Sequence, residues 1–221
     1  MSTPTALVVR GGWEGHAPVE TTDLFLPFLR DAGFEVLVED SLEVYADETL
    51  MHGTDLVVQS WTMGDILPAE LRGLREAIRA GTGFAGWHGG VVDAFRQATD
   101  YHQLVGGQFA AHPGDLVDHT VDVRPERADH PIVTGLSSIR LHSEQYWVMT
   151  DPLVDVLATT TIPRRPEDPW SEPVTCPAVW TRTWGGGRVF VCTPGHQTAD
   201  LEIPGLRQVV ERGLLWAARE R

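Results

Sequence analysis

Residues 83–90 read GFAGWHGG. The apolar run from Gly83 into Trp87 has the composition of a buried strand, and it ends at glycines before the apolar pair Val91-Val92. Gly86-Trp87-His88-Gly89-Gly90 has the G-x-H-x-G spacing of a nucleophile elbow, a sharp strand-to-helix turn of α/β enzymes. Such a corner ordinarily presents Ser or Cys. Here it presents an imidazole, so the stretch predicts both a parallel α/β architecture and the place where chemistry would sit.

The flanking sequence agrees. TALVVR (5–10), FEVLVED (34–40) and TDLVVQSW (54–61) read as further buried strands. Helical patterns lie between the strands. One runs from Val19 to Ala32, with Leu24, Phe25, Phe28 and Leu29 on one face and Gly33 as its stop. A second starts at Pro68, with Leu71, Leu74 and Ile78 on one face and Gly81 closing it, and a third spans about Val91 to Val105. Strand and helix in alternation build a parallel sheet covered on both faces. Past residue 115 the pattern changes. DHTVDVR and IRLHSEQYWVM alternate polar and apolar positions, VDVLATTTI continues the β-rich half, and AVWTRTW-GGG-RVFVC reads as a hairpin. A last helix is expected from Pro204 to Arg219, with Leu206, Val209, Val210, Leu214 and Trp216 inward. One domain over residues 1–221 is expected.

Composition narrows the function classes. A net charge of −14 argues against nucleic acid and anionic membrane surfaces as partners. No apolar run reaches the roughly 20 residues needed to cross a bilayer. The first residues carry no basic segment, so no signal peptide and a cytoplasmic location are expected. All 17 basic residues are arginine, which removes Schiff-base and Walker-type lysine chemistry. Cys176 and Cys192 make no disulfide framework, and neither stands at the corner.

In open α/β sheets ligands bind beyond the carboxyl ends of the strands. His16, Trp61 and His88 follow strands one, three and four, and His196 follows RVFVCTPG. His112 and Glu144 lie in the β-rich half and could fold over the same edge. Glycines around His88 permit an unusual turn, and the helix behind it favours a neutral ring. A neutral imidazole can accept a proton, polarise a carbonyl or bind a metal. His88, His196 and Glu144 are therefore the catalytic candidates. His88, His196 and His16 could instead hold a divalent ion such as Zn²⁺, Mn²⁺ or Fe²⁺, although no H-x-x-x-H spacing brings ligands together locally. Trp13, Trp61 and Trp87 are expected at the pocket rim, where an indole can cover a sugar face. The remaining histidines, His52, His102, His119, His130 and His142, read as background.

GWHGG, YHQLVGGQFAAHPG, HPIVTGL, SEQYWVMTDP with DVLATTT, and PAVWTRTWGGGRVFVCTPGH occur in this order. Together they resemble the trehalose utilization (ThuA-like) family, over nearly the whole chain. The resemblance implies a class I glutamine amidotransferase-like fold: a flavodoxin-like three-layer sandwich with a mainly parallel central sheet and a β-rich C-terminal half. It implies that His88 stands where the amidotransferase cysteine would, and that His196 lies near the place of the triad histidine. His16, His112 and Glu144 match other recurrent family positions. The usual DE-x-Y version of the central motif is EQYW here, which bears on substrate contacts. The substrate-side candidates are accordingly His16, Trp13, Trp61, Trp87, His112 and Tyr146. The implied partner is a small carbohydrate, and assembly into a homo-oligomer stays open. Three functions follow: an enzyme on a sugar or keto-glycoside, a non-catalytic sugar-binding or regulatory module, and a glutamine amidotransferase-type hydrolase. The missing elbow cysteine speaks against the third.

Overall fold

The structure, a computed structural model, describes residues 3–220. The first half runs β1 (Thr5–Gly12), a 3-10 turn (Glu14–His16), α1 (Pro18–Asp23), α2 (Leu26–Asp31), β2 (Glu35–Glu39) and a 3-10 turn (Leu42–Ala46). It continues through α3 (Glu48–Gly53), β3 (Leu56–Thr62), α4 (Pro68–Arg79), β4 (Gly83–Trp87), α5 (Gly89–Val92) and α6 (Thr99–Val105). The second half holds β5 (Gly107–Ala111), β6 (Leu116–Val123), β7 (Ser138–Glu144), β8 (Trp147–Thr150) and β9 (Asp155–Ile162). Next come β10 (Val174–Trp184), β11 (Gly187–Cys192), α7 (Thr198–Leu201) and α8 (Pro204–Ala217).

Nine strands form one sheet in the order β2-β1-β3-β4-β11-β10-β9-β6-β7, and β5 pairs with β8 separately. The β2-β1-β3-β4-β11 block is parallel throughout. From β11 onward every pairing is antiparallel. The parallel strands are buried on both faces, which is why they read as unbroken apolar runs. Along β1, Ala6 and Val8 pack on one side with α2 and α8, through Leu29, Val210 and Leu214. Leu7 and Val9 pack on the other with α4 and α6, through Leu74, Ile78 and Leu104.

Several boundaries differ from those expected. The pattern from Val19 to Ala32 is two helices with a break at Leu24-Phe25, because Pro27 in the first turn of α2 supplies no amide to carry the helix through. The Val91–Val105 pattern is likewise two pieces. Met63 and Ala94 form an isolated bridge, Phe95 takes φ +49°, and Asp93 holds Arg96 through two bonds of 2.6 and 2.8 Å. These tertiary ties outweigh local helix preference. IRLHSEQYWVM is not one strand. Gln145 is pulled out of line, bonding Thr160 Oγ1 at 2.6 Å and the Thr161 carbonyl at 3.1 Å, so β7 and β8 enter different sheets. The last helix ends at Ala217 instead of Arg219.

One topological detail positions the site. β6 pairs with β9 only through Asp122 and Val123, whereas β6 and β7 stay paired from Asp122–Ser138 to Leu116–Glu144. The hairpin therefore leaves the sheet at one end, and its free end carries Glu144 over to β4.

Candidate functional site

His88 closes β4 with φ +50° and ψ −144°, a conformation that side-chain-bearing residues rarely adopt. The glycines around it do something other than expected: the unusual torsion belongs to His88 itself, and the glycines allow close packing. A Cβ on Gly86 would stand 2.7 Å from the Gln59 carbonyl oxygen, and one on Gly90 would stand 2.8 Å from Ser60 Cα. Beneath the corner, buried Gln59 donates to the Gly90 carbonyl at 3.1 Å and contacts the Tyr101 hydroxyl at 2.6 Å. Tyr101 in turn donates to the Val91 carbonyl at 2.9 Å. This network fixes the backbone that holds the ring out. The helix behind is a single turn, so its dipole is small.

Four ligand-type atoms converge there. His88 Nε2 lies 3.1 Å from Glu144 Oε2, His196 Nδ1 3.5 Å and His16 Nε2 3.9 Å from the same oxygen. One ligand atom from each of the four residues lies within 4.8 Å of the others. His112 approaches the other carboxylate oxygen, with Nε2 3.9 Å from Oε1. The imidazole rings pack edge to face, with centroids 4.6 Å apart for His16 and His88 and 5.3 Å for His88 and His196.

Each group is held from behind. His88 Nδ1 donates to the Thr193 carbonyl at 2.9 Å, and His16 Nδ1 is 2.9 Å from Thr62 Oγ1. Tyr146 stacks on His88 with centroids 4.1 Å apart, and its hydroxyl is 2.8 Å from His88 Nε2. His196 Nδ1 is buried with no hydrogen-bond partner. Burial, reinforced by His88 and His196, pushes the His16 ring down to about 3, so it is neutral near pH 7. Burial and His88 also lower His196. Burial pushes the Glu144 carboxyl up, but a proton bonded to it from a charged His88 ring, with positive charge on His196 and His112, outweighs this and holds the group at about 2. Burial and the neighbouring Glu144 raise the Tyr146 phenol, so it acts as a hydrogen-bond donor.

The five expected residues His16, His88, His112, Glu144 and His196 thus meet in one place, with Tyr146 against them. Tyr146 is only 2% exposed and stands behind His88, so it supports the ring instead of lining an open substrate face. Trp13 is 48% exposed and meets His16 edge-on at 4.7 Å, which does place it at the mouth. Trp87 does not belong to the rim. Its side chain points into the core, 5.0 Å from Phe25, because it is the inward neighbour of the His88 corner. Trp61 also turns away: it packs over Gly11 on the face opposite Thr62, the residue that reaches His16. A further two-residue support holds the site from below. Ser143 Oγ donates to Asp200 at 2.6 Å, both buried, tying the Glu144 strand to the turn after His196. A polar Ser next to Glu144 was the available signal, whereas the Thr193 carbonyl leaves none in the sequence.

The fold and site define an α/β domain with a histidine-glutamate centre at the carboxyl edge of its parallel strands. The ThuA family model, described as trehalose utilisation, matches residues 5–217, and the chain belongs to that family. Among solved structures it is similar to a ThuA-like protein of Parabacteroides merdae ATCC 43184, with 19% identity, 98% of this chain and 90% of that one covered, and a TM-score of 0.74. A ThuA-like protein of Bacteroides uniformis ATCC 8492 gives 16% identity, 97% and 91% coverage, and a TM-score of 0.73. A protein of Salmonella typhimurium LT2 described as cytoplasmic gives 14% identity, 98% and 100% coverage, and a TM-score of 0.68. No curated protein matches the chain in sequence. No helix among the described residues is long and apolar enough to cross a membrane.

Proposed function

We propose that this chain is a cytoplasmic enzyme of carbohydrate utilisation that acts on a sugar or keto-glycoside at the histidine-glutamate centre. The single observation carrying the reading is the convergence of His16, His88, His196 and Glu144, contributed by four separate segments, on one spot. Membership of a trehalose-utilisation family supports a carbohydrate as the substrate class. The strand order β2-β1-β3-β4-β11 supports the flavodoxin-like description of the core.

The chemistry that suits these groups is work on a carbonyl: polarising it and moving a proton at the adjacent carbon, as in isomerisation or elimination. His88 and His196, whose ring nitrogens face Glu144 at 3.1 and 3.5 Å, are the groups placed to move that proton, whereas His16, pushed by burial down to about 3, is too weak a base for it near pH 7. Direct glycoside hydrolysis would ordinarily use two carboxylates flanking the bond. Only Glu144 stands in this centre among the described residues. Substrate would enter past Trp13 and half-exposed His112, the two members of the site that reach solvent most. An amidotransferase reaction lacks its nucleophile, since both cysteines are buried and burial raises both thiols.

The test is 3-keto-trehalose incubated with wild type and with His88→Ala, following substrate by mass spectrometry and binding by calorimetry. Turnover by wild type alone is expected. Equal sugar binding by both, with turnover by neither, would make the chain a binding module instead.

A further inference from the structure

We propose that His16 Nε2, His88 Nε2, His196 Nδ1 and Glu144 Oε2 are the ligands of one divalent first-row transition-metal ion. The argument begins with the proton on His88. The Thr193 carbonyl 2.9 Å from Nδ1 can only accept, so Nδ1 carries the hydrogen and Nε2 of a neutral ring is a lone pair, met from one side by the Tyr146 hydroxyl at 2.8 Å. That lone pair faces a carboxylate oxygen at 3.1 Å, which is also an acceptor. His196 Nδ1 faces the same oxygen at 3.5 Å and is buried without a partner. His16 Nε2 stands 3.9 Å from it, while its Nδ1 is engaged by Thr62.

Three imidazole nitrogens are thus turned on one carboxylate oxygen. The oxygen lies 3.5 Å from His196 and 3.9 Å from His16, too far for a good hydrogen bond to either, so a proton shared with His88 would satisfy one contact at most, whereas a cation among the four can take a lone pair from each. The spacing agrees. Metal–ligand distances of about 2.0–2.1 Å in a tetrahedron put ligand atoms roughly 3.4 Å apart. The three separations from Glu144 bracket that value, and all four atoms lie within 4.8 Å. Imidazole and carboxylate together suit zinc, iron or manganese and disfavour calcium or magnesium. The outer contacts are of the kind metal sites use: the Thr193 carbonyl and the Thr62 hydroxyl hold the ring nitrogens that do not face the centre. Tyr146, which also contacts Glu144, can keep its hydrogen bond there when the His88 lone pair is taken.

Bound there, the ion would supply Lewis acidity toward a substrate oxygen. Its presence deepens the sugar reading of this centre, but the test uses no sugar, so the two fail separately. Protein stripped with chelator is titrated with Co²⁺, following the visible d–d absorption, and metal content is measured after reloading with Zn²⁺. One ion per chain is expected, with a rise in Tm. Glu144→Gln and His196→Ala should each weaken Co²⁺ binding at least 100-fold. Exposed His142→Ala, whose ring pairs with Asp118 at 2.8 Å, should leave it unchanged. Far-ultraviolet dichroism of the stripped variants establishes that they are folded, and His196→Gln replaces any variant that is not. A stripped, folded wild type that takes up no stoichiometric Co²⁺ overturns the proposal. So does binding that survives both ligand substitutions, or binding lost equally in His142→Ala.

Discussion

Gly89→Ala tests whether the glycine after His88 exists to admit His16. Gly89 has no left-handed torsion, so its backbone accepts alanine, and at the start of a helix the change should add up to about 1 kcal/mol of intrinsic preference. The obstacle is steric. A Cβ there would stand 2.4 Å from both Cε1 and Nδ1 of His16 and 3.2 Å from Thr62 Cγ2. Ordinary contact begins near 3.5 Å, so the ring must withdraw by about 1 Å. It has little room: Trp13, His88 and His196 stand 4.7, 4.6 and 5.2 Å from it, centroid to centroid. Withdrawal breaks the His16–Thr62 bond, about 1 kcal/mol, and overpacks the pocket, about 1–3 kcal/mol. Set against the helix gain, the net loss is about 2 kcal/mol, or a fall in Tm of about 4–8 °C for a chain of this length. Co²⁺ affinity should fall by about 10–100-fold, the usual size of a disturbed outer contact. Thermal denaturation of stripped protein and Co²⁺ titration measure the two effects. A Tm within about 1 °C of wild type, together with unchanged affinity, would refute the account of this glycine.

Three further outcomes are expected. Ser143→Ala leaves a buried Asp200 carboxylate short of a donor and should cost about 1–3 kcal/mol in urea unfolding. Because it frees the His196 turn from the Glu144 strand, it should also weaken Co²⁺ binding more than Asp200→Asn does, and the reverse order would contradict the tether. Trp13→Ala should change Tm by less than about 1 °C, since the indole is half exposed, while raising the KM or Kd for the sugar at least tenfold. In chelator, stability should fall as pH drops below about 6.5. Burial lowers His16, His102, His119, His130 and His196, so the unfolded chain binds protons there that the folded chain refuses. Glu144, held low, adds loss in the same direction below about 4.5. A urea midpoint that is flat or rising from pH 7 to 5 would contradict this.

The parallel half was legible because its strands are sandwiched between two layers and carry that burial as apolar runs bounded by glycines. The helices were less so. Pro27 and the Asp93–Arg96 pair interrupt patterns whose periodicity alone continues. In the site, residue types and the ends of strands were enough to single out His16, His88, His196 and Glu144. Direction was not legible. Trp61 and Thr62 are neighbours on opposite faces, and Trp87 points inward because His88 next to it points out. The Thr193 carbonyl and the Asp200–Ser143 bond depend on which segments meet, and spacing along one chain does not encode that.

The partial attachment of the β6–β7 hairpin to β9 has a kinetic consequence. Glu144 lies 56 residues beyond His88, and His196 arrives later still, so every pair in the centre closes a long loop. Such closures are entropically costly and slow. A chain without its last segments would lose β11 and α8 from the core together with His196, so the core and the centre are completed in the same late step. The reactive cluster is therefore among the last features of the molecule to form.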